Sequence, residues 1–200
     1  MPSKQRRGEA TVDRLLDAAL QVYVTEGEQG FTVKAVTDRS KVSLGSLYHH
    51  FGSLDGLFEA LALRCLSRLF DELVTALAQA PNARAGVYAV VEAYLDFVRD
   101  HEDAALLLHS PAADRRGMAQ GADLRDTQEA RLAAFAEWVQ THVESGELAQ
   151  LPLPLYESLV LGPVVGTARR WLSGIRDIGL DEAARVLPER IWRSVSAEQR

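Results

Sequence analysis

Cysteine is almost absent from this 200-residue sequence. Cys65 stands alone, so no disulfide can form within the chain, and a reducing compartment is expected. Long apolar runs are missing too. The longest uncharged apolar-rich stretch, residues 159–168, falls well short of the ~20 residues of a membrane span and is interrupted by Gly162, Pro163 and Gly166. The basic N-terminus is not followed by an apolar signal core, so the chain reads as cytoplasmic, with no membrane partner. β-branched residues come mostly as isolated valines, and no strand pattern, internal repeat or low-complexity segment is found. The chemistry of enzymes is also missing: there is no Gly-x-Ser-x-Gly elbow, no phosphate loop and no cluster at metal-ligand spacing. No catalytic activity, metal or cofactor is therefore expected.

What is present is helical. Hydrophobic residues make up 47% and charged residues 25%, the balance of an ordinary globular protein able to bury a core. From Glu9 to Glu26 apolar residues recur in steps of three and four, at Val12, Leu15, Leu16, Ala19, Val22 and Tyr23, and Gly27 and Gly30 end the pattern. Thr32 caps a short helix from about Val33 to Arg39, and Ser43 opens another through about His50. Ser53 caps a long helix from Leu54 to about Ala80, with Asp55 in its first turn. Helices follow over Arg84–Asp100, Ala104–His109, Asp123–Ser145, Leu155–Leu172 and Asp181–Ser196, while Ala112–Gly121 has the composition of a loop. The fold class is all-α with about nine helices, divided into residues 1–53 and 54–200.

Formal net charge is −6, which by itself argues weakly against a nucleic-acid partner. The first 60 residues are nearly balanced, with seven Lys/Arg against eight Asp/Glu, and the bases gather at Lys4, Arg6, Arg7, Lys34, Arg39 and Lys41. Phosphate binding depends on such a local patch rather than on the global sum.

Two helices of about eight residues joined by a three- to four-residue turn have the dimensions of a helix-turn-helix. Leu47 and Phe51 fall on the side that would pack into the domain, leaving Ser43, Leu44, Ser46, Tyr48 and His49 exposed. Hydroxyls and imidazole can bond base edges or phosphates, and Leu44 can touch a thymine methyl. Gly45 carries no side chain, so the backbone can approach the groove floor. The adjacent His49 and His50 point about 100° apart on a helix and are not read as a metal pair, which prefers a spacing of four.

The run FTVKAVTDRSKVSLGSLYHHFGSLDGLFEAL resembles the DNA-binding segment of the TetR/AcrR transcriptional regulators at Phe31, Thr32, Val36, Val42, Ser43, Gly45, Leu47, Tyr48, Phe51 and Leu57. The likeness covers about residues 10–60. It implies an N-terminal three-helix DNA-binding domain and a C-terminal ligand-binding and dimerisation domain. It further implies a homodimeric repressor released from a palindromic operator by a small-molecule effector. Thr32, Tyr48 and His49 would meet phosphates or groove edges, with Lys34, Lys41 and the Lys4-Gln5-Arg6-Arg7 arm adding basic contacts. Two positions depart from the family. Ser40-Lys41 replaces the usual Ala-Gly, and a non-glycine residue there is expected in the left-handed region at roughly 1 kcal/mol. Leu54 replaces a lysine that often reaches a phosphate. A helical small-molecule-binding or interaction protein with weakened DNA binding is the alternative this second departure keeps open.

For the C-terminal part, Tyr94, Phe97, His101, His109, Phe135 and Trp138 are the candidate lining of an effector pocket, aromatics with a few polar groups between facing helices, for a largely apolar ligand. Gly162 and Gly166 share one helical face, on which small residues permit close helix approach. With Leu159, Arg170 and Trp192 they form the candidate dimer interface; by the resemblance, the last two helices pair across a two-fold axis.

Overall fold

The computed structural model describes residues 2–119 and 129–197, with the side chains of residues 2–5 and 116–130 left aside. Among the described residues there are ten α-helices and no strand: α1 Pro2–Gly30, α2 Val33–Ser40, α3 Leu44–Phe51, α4 Leu54–Ala78, α5 Ala83–Asp100, α6 Glu102–Leu108, α7 Pro111–Ala119, α8 Glu129–Glu144, α9 Leu153–Leu172 and α10 Leu180–Val195. A single antiparallel bridge joins Leu148 and Ser196.

The apolar periodicity set the helices as expected. Leu15, Leu16, Ala19, Val22 and Tyr23 of α1 are buried, and Gly27, at φ 70°, breaks the helix where the glycine suggested. Two expectations are corrected. Residues 112–119 are helical rather than a loop: Ser110 Oγ accepts from Ala113 N at 3.1 Å and Pro111 supplies a fixed φ at the helix start, so capping outweighs the Gly- and Ala-rich composition. The first helix also begins at Pro2, well ahead of Glu9. The expected start of the next long helix at Asp123 lies outside the described residues, as do the side chains of Lys4 and Gln5 and residues 120 and 121 of the expected loop.

The chain divides into two compact units. One comprises residues up to 66 with 103–119; the other comprises 67–102 with the described residues from 129 onward. In the first unit α1 packs on α2 and α2 on α3. Its core is keyed by Tyr23, Phe31 and Phe58, whose rings meet edge to face with centroids 5.5–5.8 Å apart. In the second unit α5, α9 and α10 pack on one another. Val87, Val91, Leu95 and Val98 of α5 and Val160, Val164 and Ala168 of α9 are buried there. Gly86 is required by this packing: a Cβ on it would lie 2.2 Å from Cζ2 of Trp138. Among the described residues no helix is long and apolar enough to cross a membrane.

Candidate nucleic-acid interface and interior cavity

The two short helices are held by caps that the sequence specifies. Thr32 Oγ1 accepts from Ala35 N at 3.2 Å to start α2, and Ser43 Oγ accepts from Ser46 N at 3.2 Å to start α3. Between them Lys41 sits at φ 56°, ψ 27°, the only non-glycine residue with positive φ among those described, and its N–H closes α2 onto the Thr37 carbonyl. Ser40, buried, turns its hydroxyl inward to accept from Val42 N at 3.2 Å. The Ser40-Lys41 departure is thus accommodated: serine ties the turn, and lysine takes the conformation that glycine usually fills. Beyond α3, Gly52 at φ 71° turns the chain, and Ser53 Oγ accepts from Gly56 N at 2.9 Å to start α4. Gly56 cannot carry a side chain, because a Cβ would lie 2.2 Å from the Phe51 carbonyl oxygen.

Leu47 is fully buried and fixes α3 to its unit; Phe51 is half-buried. The opposite face is open: Leu44 is 53% and Tyr48 47% exposed, and Ser43, Gly45 and His49 are exposed with them, while Ser46 is half-buried. A Cβ on Gly45 would meet nothing within 4 Å, so no neighbour in the chain requires a glycine there. Thr32, Lys34, Lys41, Arg6 and Arg7 are exposed as well. Lys34 is not a free cation: its Nζ lies 2.5 Å from Asp38 Oδ2, and this bond raises the lysine pKa and lowers that of the carboxylate. The i,i+4 spacing of this pair was readable in the sequence. Leu54, at the position where the family often carries a lysine, is half-buried at the start of α4. His49 and His50 have ring centroids 5.1 Å apart, and among the described residues no group of three His, Cys, Asp or Glu is placed to hold a metal.

The second unit encloses a cavity of about 100 Å³, lined by Phe70, Leu73, Val74 and Leu77 of α4, Val90 of α5, Leu132 and Phe135 of α8 and Leu161 of α9. Two charged residues share its wall, Arg131 and Glu157. Arg131 donates to Asp71 through Nε and Nη2 at 2.6 and 2.9 Å, which holds the Asp71 carboxyl below its usual range.

Of the six residues expected to line an effector pocket, Phe135 lines this cavity. Tyr94 and Phe97 are buried core of α5, and burial pushes the Tyr94 phenol well above its usual range. His101 lies against Phe97 and 3.5 Å from Glu72. His109, after α6, belongs to the other unit. Trp138 packs on Gly86 and meets His142 with tilted rings, centroids 4.5 Å apart. The sequence reading missed Arg131, Asp71 and Glu157, because 60 residues separate the members of the ion pair and no local pattern links them.

On α9, Gly162, Gly166 and Arg170 are exposed, with Leu159 half-buried; on α10, Trp192 is half-buried and Val186 is 51% exposed. A Cβ at Gly162 or Gly166 would meet nothing within 4 Å. Arg170 pairs with Asp177, its Nε 2.9 Å from Oδ1.

Comparison with known proteins follows the same lines. Residues 15–61 match the family described as bacterial regulatory proteins, tetR family. The chain is 28% identical over 197 residues to the HTH-type transcriptional activator FasR of Mycolicibacterium smegmatis, covering 98% of this chain and 85% of that protein. Among solved structures it resembles a TetR family transcription regulator from Marinobacter aquaeolei VT8, with a TM-score of 0.78 at 17% identity over 97% of this chain and all of the other. It also resembles the fatty acid degradation regulator FadR from Bacillus halodurans, with a TM-score of 0.77 at 15% identity over 91% of this chain and 94% of the other. At those identities the structural likeness concerns the fold.

Proposed function

This chain belongs to the TetR family of DNA-binding transcriptional regulators, and on that basis we propose that it acts as a homodimeric repressor released from a palindromic operator by a small, largely apolar effector. The DNA-binding residues are Thr32, Lys34, Lys41, Ser43, Leu44, Gly45, Ser46, Tyr48 and His49, with residues 1–53 as the DNA-binding domain and 54–200 as the effector and dimer domain. The open face of α3 carries this reading. It sets an exposed leucine and tyrosine beside a glycine that nothing among the described residues requires.

The dimer is supported by α9 and α10. Gly162 and Gly166 leave a smooth surface uncovered by the described residues, and Leu159, Trp192 and Val186 of the same two helices are half-buried or exposed. A two-fold dimer of a helix-turn-helix protein carries two recognition helices, hence a palindromic site. The effector is assigned to the apolar cavity that Phe135 lines. α4 supplies Leu57, Phe58 and Leu61 to the core beneath the helix-turn-helix and Phe70, Leu73, Val74 and Leu77 to the cavity wall. A ligand in the cavity would therefore touch the same helix that bears the first group.

The relative FasR is called an activator, so the sign of regulation is part of the test. Sedimentation of the purified chain with a duplex selected from its own upstream DNA should give two chains per duplex, and a reporter behind that duplex should rise when the gene is deleted. Sedimentation as a monomer would overturn the dimer, and a reporter that falls would make the protein an activator.

A further inference from the structure

Resting on the reading of α3 as the helix that enters the major groove, we propose that Leu44 is the principal base-reading side chain and that it reads the 5-methyl group of thymine. The argument begins with what α3 lacks. Base pairs are told apart in the major groove mainly by Arg or Lys on guanine, Asn or Gln on adenine and Asp or Glu on cytosine. The helix Leu44–Phe51, LGSLYHHF, holds none of these six residue types.

The hydroxyls near its start discriminate little, because a hydroxyl can bond donor and acceptor edges alike, and that of Ser43 is already engaged. Ser43 Oγ accepts from Ser46 N at 3.2 Å and donates to Ser46 Oγ at 3.0 Å. In a helix-turn-helix the N-terminal residues of the second helix meet the base edges, which here are Ser43, Leu44, Gly45 and Ser46. Tyr48 and His49 follow one turn later, nearer the helix end and the phosphates.

Leu44 is the most exposed large apolar residue among those described, at 53%. Gly45 beside it leaves the surface low enough for close approach. The one apolar group that B-DNA offers in the major groove is the thymine methyl, and an isobutyl side chain has no other means of discriminating bases. The helix therefore specifies thymine by burial rather than by hydrogen bonding.

Duplexes retained by the wild-type protein from a random library supply the probe. Each is resynthesised with deoxyuridine at single thymines, which removes the methyl and keeps the pairing. Affinity should fall about fourfold per contacted methyl at one or two positions in each half-site and stay constant elsewhere. Leu44→Ala should bind the thymine duplex more weakly and lose the distinction between thymine and uracil at those positions. Retained duplexes lacking a common thymine, wild-type affinity indifferent to every deoxyuridine, or undiminished discrimination by L44A would each overturn the inference. Retention of no duplex at low salt would instead overturn the major-groove reading itself, and this inference with it.

Discussion

Lys34 and Asp38, one turn apart on α2, are joined by a 2.5 Å ion pair on the surface proposed to meet DNA. Both side chains are largely exposed, so the pair adds little to folding. Its effect is on the local field: it cancels one of the few cations beside α3, and Asp38 also lies within the reach of Lys41. Asp38→Asn should leave the melting temperature almost unchanged, strengthen binding to duplex DNA several-fold at low salt, and steepen the salt dependence by up to about one phosphate contact. Unchanged affinity measured across a salt titration would mean that α2 does not face phosphate.

Lys41 allows stability and binding to be separated. Its left-handed backbone costs roughly 1 kcal/mol, which Lys41→Gly would relieve, while the extra freedom of glycine in the unfolded chain takes back about 0.4–1 kcal/mol. Thermal unfolding should therefore shift upward by no more than a few degrees. DNA affinity should nevertheless drop, with the salt slope reduced by about one. A variant that binds DNA as well as wild type would show that lysine replaces glycine here without contacting phosphate.

The helix-turn-helix was legible because its determinants are local. Caps at Thr32 and Ser43, the buried Leu47 and the left-handed residue 41 all follow from neighbours within a few positions. The helices of the second unit were legible for the same reason, through their 3.6-residue periodicity. The cavity was not. Its wall draws on four helices, and whether an aromatic residue borders space or fills it depends on partners far along the chain. Trp138 illustrates this. Its spacing marks it only as facing inward, and the residue it packs on, Gly86, lies 52 positions away and gives no signal of its own. The helix at Pro111–Ala119 was missed because composition was weighed above the serine-proline start signal.

Glu189 on α10 accepts from Tyr88 Oη and from Nη2 of Arg84, both at 2.8 Å, and from Nε of Arg193, also at 2.8 Å. These donors, the tyrosine hydroxyl foremost, hold its pKa down from 4.5 to about 2. A depressed carboxylate contributes stability above its unfolded pKa and loses it as pH falls through the folded one. The tie between α5 and α10 should thus be complete at neutral pH and fade between about pH 4.5 and 2. Glu189→Gln should melt below wild type at pH 7, and the two melting curves should converge as the pH approaches 2. Parallel curves throughout would assign the difference to packing alone.

Val74 lines the cavity from the part of α4 that precedes Leu77. A phenylalanine there would project into the roughly 100 Å³ of free space while leaving the residues of α2 and α3 unchanged. Filling a dry cavity restores dispersion contacts, while any overfilling costs about 1–3 kcal/mol, so the net change in melting temperature should be modest. If this is the effector site, Val74→Phe should bind the operator duplex with wild-type affinity and fail to release it when apolar compounds that release the wild-type protein are added. The measurement is fluorescence anisotropy of labelled duplex during titration with those compounds. Normal release from V74F would place the effector elsewhere in the second unit, whereas failure to bind duplex at all would mean that the cavity shapes the DNA-competent state even when empty.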